Sequence, residues 1–344
     1  DLRMSRGLGD VYKRQVLDDA HTCIDIIKSA STIAIEKKNF EDLYSNFLTL
    51  FSDSLYNQGE GSFTDIENGD YSTSMIVPYW DWDAKKQEVL NLLSKAATCT
   101  DAIKYAWPLI RDNLSECACF ISGQKIEITP YNPSVEPFGV FSKAKQRILM
   151  SATTQDDSFF IKGLLFNEKA VQKPLVVNEQ KWSGEKMIII PTQIDDNCSR
   201  DMVISFLAKK EKLNWGRVAI VTSANNAIQY KNNGAVISTS ESIFNDINNL
   251  KKNNYESMIV FVNRYDGIDL PDENCRVLII DGLPYFDNLS DRYESSCRPN
   301  SEIINKKIAQ KIEQGIGRGV RGEKDYCAIS VSYTHLRAHE TCAD

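Results

Sequence analysis

From residue 36 to 57 the apolar residues Phe40, Leu43, Phe47, Leu50, Phe51 and Leu55 recur at intervals of three and four, the spacing of one helical face. A second helix is expected over about 84–98, on Val89, Leu90, Leu92 and Leu93, and a third over about 100–115. Between the first two lies NQGEGSFTDIENGDYSTS, which reads as a turn-rich loop. The stretch 30–120 is therefore expected to be mostly helical and a unit of its own.

The pattern changes after that. Continuous apolar runs, RILM at 147–150, MIII at 187–190, VAIV at 218–221, MIVFV at 258–262, VLII at 277–280 and YCAIS at 326–330, read as buried strands. Val16-Leu17 reads as the tail of another. Helical candidates at 199–212, 239–252 and 301–315 fall between many of these runs. Unalternating strands separated by helices indicate a parallel α/β sheet covered on both faces.

Composition adds bounds. A length of 344 residues leaves room for about two domains. Apolar residues at 42% and charged residues at 25% are ordinary for a globular protein. No apolar run approaches the roughly 20 residues needed to span a bilayer, so no membrane partner is expected; a cytoplasmic location is read from the cysteines. The nine cysteines are scattered, with only Cys117 and Cys119 close together, and read as reduced thiols. A net charge of −7 argues against a wholly basic nucleic-acid coat protein but leaves room for a local basic groove.

The ends differ from the rest. DLRMSRGLGDVYKRQ at 1–15 and the segment 331–344 resemble translated sequencing-adapter DNA, so both are expected to be non-native and 16–330 to be a piece of a longer protein. His335 and His339, spaced as two metal ligands on a helix would be, fall in the second of these segments.

Four stretches carry chemistry. Asp18-Asp19-Ala20-His21 follows the Val16-Leu17 strand, where paired acids suit either a solvated turn or a magnesium-and-water site. RILMSAT puts the hydroxyls of Ser151 and Thr153 just beyond a strand. NRYDGIDLP at 263–271 contains Gly267, which permits close backbone approach, and Asp269. QGIGRGVR at 314–321 sets Arg318 and Arg321 three apart after a helix, and arginine suits bidentate contact with phosphate. Taken singly, each also fits a cap, a turn or a solvated helix face.

Their order resembles motifs II, III, V and VI of superfamily 2 DEAD/DEAH-box helicases, with RVAIVTSA at 217–224 in the place of motif IV. The long segment between DDAH and SAT, and the run GIDLPDENCRVLIIDGLP, are similar to the xeroderma-pigmentosum-D branch, which places an arch domain there. The resemblance implies an α/β fold of two RecA-like parallel-sheet domains, the first incomplete (16–29 and 121–165), the second complete (166–330), with a helical insertion at 30–120. It implies an ATP-dependent helicase or translocase acting on DNA or RNA, with ATP and Mg²⁺ as cofactors. Asp18 would hold Mg²⁺, and Asp19 would stand for the usual catalytic glutamate, retracting the carboxylate by about 1.5 Å of reach. His21, Ser151 and Thr153 would couple the nucleotide to the nucleic acid. Gly267, Asp269 and Gln314 would line the nucleotide site, Arg318 would meet the γ-phosphate, and Arg321 would be the arginine finger.

No G-x-x-x-x-G-K-[ST] phosphate loop occurs in the 344 residues, so this chain alone is expected to be inactive, and iron–sulfur cysteines of the branch would lie upstream. Two other readings remain: an ATPase-defective nucleic-acid-binding scaffold, and a double-strand translocase of a restriction or defence system. For nucleic acid, Lys143, Lys145, Arg147, Lys209, Lys210, Lys212, Lys251 and Lys252 fit either a groove or solvated faces. Trp80, Trp82 and Trp107 fit either base stacking or a helical core. Polarity, oligomeric state and the choice between DNA and RNA stay open.

Overall fold

The apolar periodicity of residues 40–55 produces the helix Glu41–Gln58, which buries Tyr44, Phe47, Phe51 and Leu55. The computed structural model describes residues 14–332 apart from 134, 136, 137, 152–157, 176–183, 266–269, 285 and 321, and omits the side chains of 21, 22, 99, 101 and 102. The chain divides into two compact units, Asp1–Val176 with Phe286–Pro299, and Val177–Tyr285 with Asn300–Asp344.

The first unit contains strands β1 (Arg14–Leu17), β2 (Ile33–Glu36), β3 (Ser74–Ile76), β4 (Cys117–Ser122), β5 (Lys125–Pro130) and β6 (Gln146–Leu149). β1 and β6 pair in parallel, Val16 opposite Ile148. The expected strand at Val16-Leu17 is present, with one face of this small sheet exposed at Val16 (55%) and Ile148 and the other packing Leu17 and Leu149 against the core of Ala20, Ile24, Phe159 and Phe160.

The expected insert, 30–120, is helical over most of its length but ends inside an antiparallel sheet, β2-β5-β4-β3, which runs on to Pro130 and which its periodicity does not reveal, so the insert extends to 130. Its strands are short, and β4 is buried on both faces, which removes the apolar–polar alternation. Cys117, Cys119 and Ile121 of β4 face the core formed with Phe47, Phe51, Leu55 and Leu93, while Ala118 and Phe120 point the other way. The stretch expected as a loop contains the helix Glu60–Glu67, because Phe63 and Ile66 are three apart and both bury. Trp82 is buried with its indole N–H donating to the Leu114 carbonyl at 2.7 Å, and Trp107 is buried too. Trp80 alone of the three stays exposed.

The second unit contains β7 (Glu185–Ile189), β8 (Arg217–Val221), β9 (Val236–Ser238), β10 (Ile259–Val262), β11 (Val277–Asp281) and β12 (Tyr326–Val331). All six are parallel, in the order β7-β12-β11-β8-β10-β9. Val218 and Ile220 of β8 enter one core, and Ala219 and Val221 enter the other, so both faces are covered as the apolar runs imply. Arg217 is nonetheless buried, donating to the carbonyls of Leu207, Lys209, Glu211 and Glu256 and thereby closing the segment before β8. Among the described residues no helix is long and apolar enough to cross a membrane.

Phe47 is fully buried in the insert core, so Phe47→Ala should cost about 3–5 kcal/mol by urea denaturation. Tyr79→Ala, at a 75% exposed position, should stay within about 0.5 kcal/mol.

Candidate functional site

In the first unit, the DDAH turn is built at the end of β1. Asp19 takes a left-handed conformation, φ 50° and ψ 60°, and directly precedes the helix Ala20–Ala30. Aspartate enters that region more readily than longer side chains do. Its N–H donates to Asp18 Oδ1 at 3.0 Å, and its own carboxylate makes no capping hydrogen bond. Both carboxylates are exposed. The Ala20 N–H donates to the Met150 carbonyl at 2.8 Å, while the Met150 N–H donates to the Leu17 carbonyl at 2.9 Å. These two bonds bring Asp18, Asp19 and the exposed Ser151 to neighbouring strand ends.

Cys23, one turn into the helix, donates its thiol to the Asp18 carbonyl at 3.4 Å. Burial first, then the charges of Asp19 and Asp18, push that thiol above its ordinary pKa, so it is held neutral. The side chain of His21 and all of Thr153 lie outside the described residues.

In the second unit, the parallel sheet presents its carboxyl-terminal strand ends on one edge, the edge where open α/β sheets bind ligands. The Asn263 N–H, just past β10, donates to the Val221 carbonyl at the end of β8 at 2.7 Å. Gly282, just past β11, has φ +98°, and a Cβ there would lie 2.7 Å from Thr222. The buried Tyr265 donates its hydroxyl to the Gly282 carbonyl at 3.4 Å. The helix Glu302–Ile316 crosses this ring at Gly315, where a Cβ would meet Tyr265 at 2.9 Å. Gln314 is half-buried beside it, and Arg318, also half-buried, donates from Nε to the Tyr265 carbonyl at 3.2 Å. The structure thus joins the start of the 263–271 loop to the QGIGRGVR segment. Gly267, Asp269 and Arg321 lie outside the described residues, as do His335 and His339.

A second cluster on the same edge was not singled out from the sequence. Asp281, the last residue of β11, is buried and receives Arg200 bidentately, Nε to Oδ1 at 2.8 Å and Nη2 to Oδ2 at 2.6 Å. The Tyr230 hydroxyl donates to Oδ2 at 3.0 Å. Burial and then the Asp281 charge push the tyrosine well above its ordinary pKa. The signal was available: an acid closes the apolar run VLII, just as Asp18 closes Val16-Leu17.

Two of the basic residues that fit either a groove or solvated faces have partners in the structure. Arg147 donates to the carbonyls of Leu164 and Leu165 at 2.8 Å each and lies over the rings of Phe141 and Phe166, so it is a packing residue. Lys210 pairs with Glu256 at 3.2 Å. Among the described residues no cluster of three or more His, Cys, Asp or Glu is disposed to hold a metal. The exposed carboxylate of Asp18 is of the donor kind that Mg²⁺ takes, one or two protein carboxylates with waters and substrate phosphates as its other ligands.

Removing the Asp281 carboxylate strands the Arg200 guanidinium, so Asp281→Ala should cost about 3 kcal/mol by chemical denaturation. The raised tyrosine pKa gives stability that is full below about pH 10 and is lost as pH rises beyond it. Tyr230→Phe should flatten the alkaline limb of a stability–pH profile.

The helicase C-terminal domain family matches residues 204–338. An Xpd4 structure from S. tokodaii matches 95% of this chain and 72% of its own, at 16% identity and TM-score 0.51. An apo XPD structure matches 94% and 73%, at 15% identity and TM-score 0.52. An XPD helicase structure matches at 12% identity and TM-score 0.49, and the chain spans 65% of its length. No curated protein matches the chain. Residues 204–338 thus match the helicase C-terminal domain family, and the fold of the chain, with its parallel RecA-like sheets, is similar to that of the XPD structures.

Proposed function

We propose that the protein to which this chain belongs is an ATP-dependent helicase or translocase that works on DNA or RNA in the cytoplasm. The observation that carries this reading is the pair of backbone bonds joining DDAH to the strand before SAT, at the ends of two parallel strands. Residues 16–29 and 131–165 would belong to the first RecA-like domain and 166–330 to the second, with the insertion running from 30 to 130, past its expected end at 120, because β5 pairs with β2 and β4. Asp18 would hold Mg²⁺ and Asp19 would orient the attacking water. The metal, when bound, would neutralise charge on the transferring phosphoryl group. Gln314, Arg318, Gly267 and Asp269 would contact the nucleotide, and Arg321 would meet the transition-state charge. His21, Ser151 and Thr153 would relay the nucleotide state to the bound strand. Of the three insert tryptophans, only the exposed Trp80 remains a stacking candidate.

The scaffold reading draws on Asp19, whose shorter carboxylate and left-handed backbone depart from a catalytic glutamate. Turnover measured on the intact protein separates the two. A motor hydrolyses ATP, and Arg321→Ala lowers nucleic-acid-stimulated turnover by about 10³-fold or more without shifting its melting temperature. A scaffold shows no turnover, and Asp19→Glu leaves it inactive. Unchanged turnover in Arg321→Ala would overturn the finger assignment. Because residues 1–344 contain no phosphate loop, calorimetry on this chain alone should find no tight ATP binding.

A further inference from the structure

Between β11 and the helix Glu302–Ile316 the chain leaves its own unit. Phe286–Pro299 packs with the first unit, while the residues on either side belong to the second. Its helix, Leu289–Cys297, starts at Asn288, whose side chain accepts the Asp291 N–H at 2.7 Å. Three anchors hold it to the insert sheet. Leu289 is fully buried against Ala118 and Phe120 of β4, and the Tyr293 ring lies 5.6 Å from that of Phe120. The Leu289 N–H, which has no partner within its own helix, donates to Glu127 Oε2 at 2.6 Å. Glu127 is only 3% exposed, at the centre of β5, and its other oxygen is paired with Lys125. Arg292 donates to the Tyr71 carbonyl and lies 4.3 Å from the centre of the Tyr71 ring.

The anchors are specific. A buried carboxylate on a strand is costly without partners, and a helix amino terminus supplies both an N–H and favourable dipole charge. Ala118 and Phe120 form the face of β4 turned away from the main insert core, and this helix covers it. The connectors are short. Residues 282–288 separate β11 from the helix, and residues 298–301 separate it from Glu302–Ile316, which carries Gln314 and leads into Arg318.

We propose that Phe286–Pro299 is a coupling strap, which ties the insert sheet to the helix bearing Gln314 and leading to Arg318 so that displacement of one is transmitted to the other. The mechanical role rests on the motor reading above; the linkage itself does not. Release of the strap would uncouple movement of the insert from nucleotide hydrolysis.

Hydrogen–deuterium exchange on residues 1–344 tests the linkage without nucleotide or nucleic acid. In the double variant Leu289→Ala with Arg292→Ala, exchange should rise at least tenfold in 289–297 and also in 302–316, with β8 and β10 changed less than twofold. Glu127→Gln keeps an acceptor for the Leu289 N–H and should leave 302–316 within twofold of the parent. Release of 289–297 with no change in 302–316 would overturn the proposal. Should the double variant fail to fold, two glycines inserted between Cys297 and Arg298 keep every anchor and only slacken the connector. That insertion should leave 289–297 protected and raise exchange in 302–316; protection of both would overturn the strap. In the intact protein the same insertion should lower strand displacement per ATP hydrolysed at least tenfold. An unchanged displacement ratio would also overturn it. If the parent shows no ATPase, the motor reading fails while the exchange data still judge the linkage.

Discussion

Parallel pairing in the second unit is the constraint on which its site depends. With all six strands running the same way, β8, β10 and β11 end on one edge, and the segments after them are brought together. Thr222, Asn263, Tyr265, Asp281 and Gly282 meet there although as many as 60 positions separate them. An antiparallel sheet would have sent alternate loops to opposite edges. Arg318 joins the group because glycine at 315 lets its helix pass close over Tyr265. Gly319 does the same on the next turn, where a Cβ would lie 2.8 Å from the Cys327 sulfur.

The first unit repeats the principle on a smaller scale. β1 and β6 are parallel, so DDAH and the residues before SAT leave the sheet at the same end and bond backbone to backbone. The acids stay exposed, whereas in the second unit Asp281 is buried and spent on Arg200 and Tyr230. Two acids that look alike in sequence, each closing an apolar strand, therefore have different prospects. Burial with a bidentate arginine makes Asp281 structural; exposure leaves Asp18 and Asp19 open to an external cation.

The insert combines both kinds of order. Its helices supply one core, while β4 separates that core from a second, smaller one filled by a helix that arrives from far along the chain. Because β4 is buried on both faces, its sequence CACFIS reads neither as an alternating strand nor as a helix. The short β3 and the helix Glu60–Glu67 were hidden for a related reason: single Phe, Ile and Met residues suffice to bury so few turns, and glycines at 59, 61 and 69 imitate a loop.

The sequence alone determined the parallel α/β class, because continuous apolar runs with helices between them can be buried only in a sheet covered on both faces. It also placed five of the six strands of the second unit and, through motif order, the helicase-family resemblance. Only the tertiary structure decided which charged and aromatic residues are free for chemistry. Arg147, Trp82 and Trp107 carry the same composition signal as exposed groups, yet packing consumes them. Arg200, Asp281 and Glu127 acquire their roles from partners 81 and 162 residues away. Periodicity reports the face a residue turns toward its own element's core; it carries no information about a partner that long-range pairing delivers.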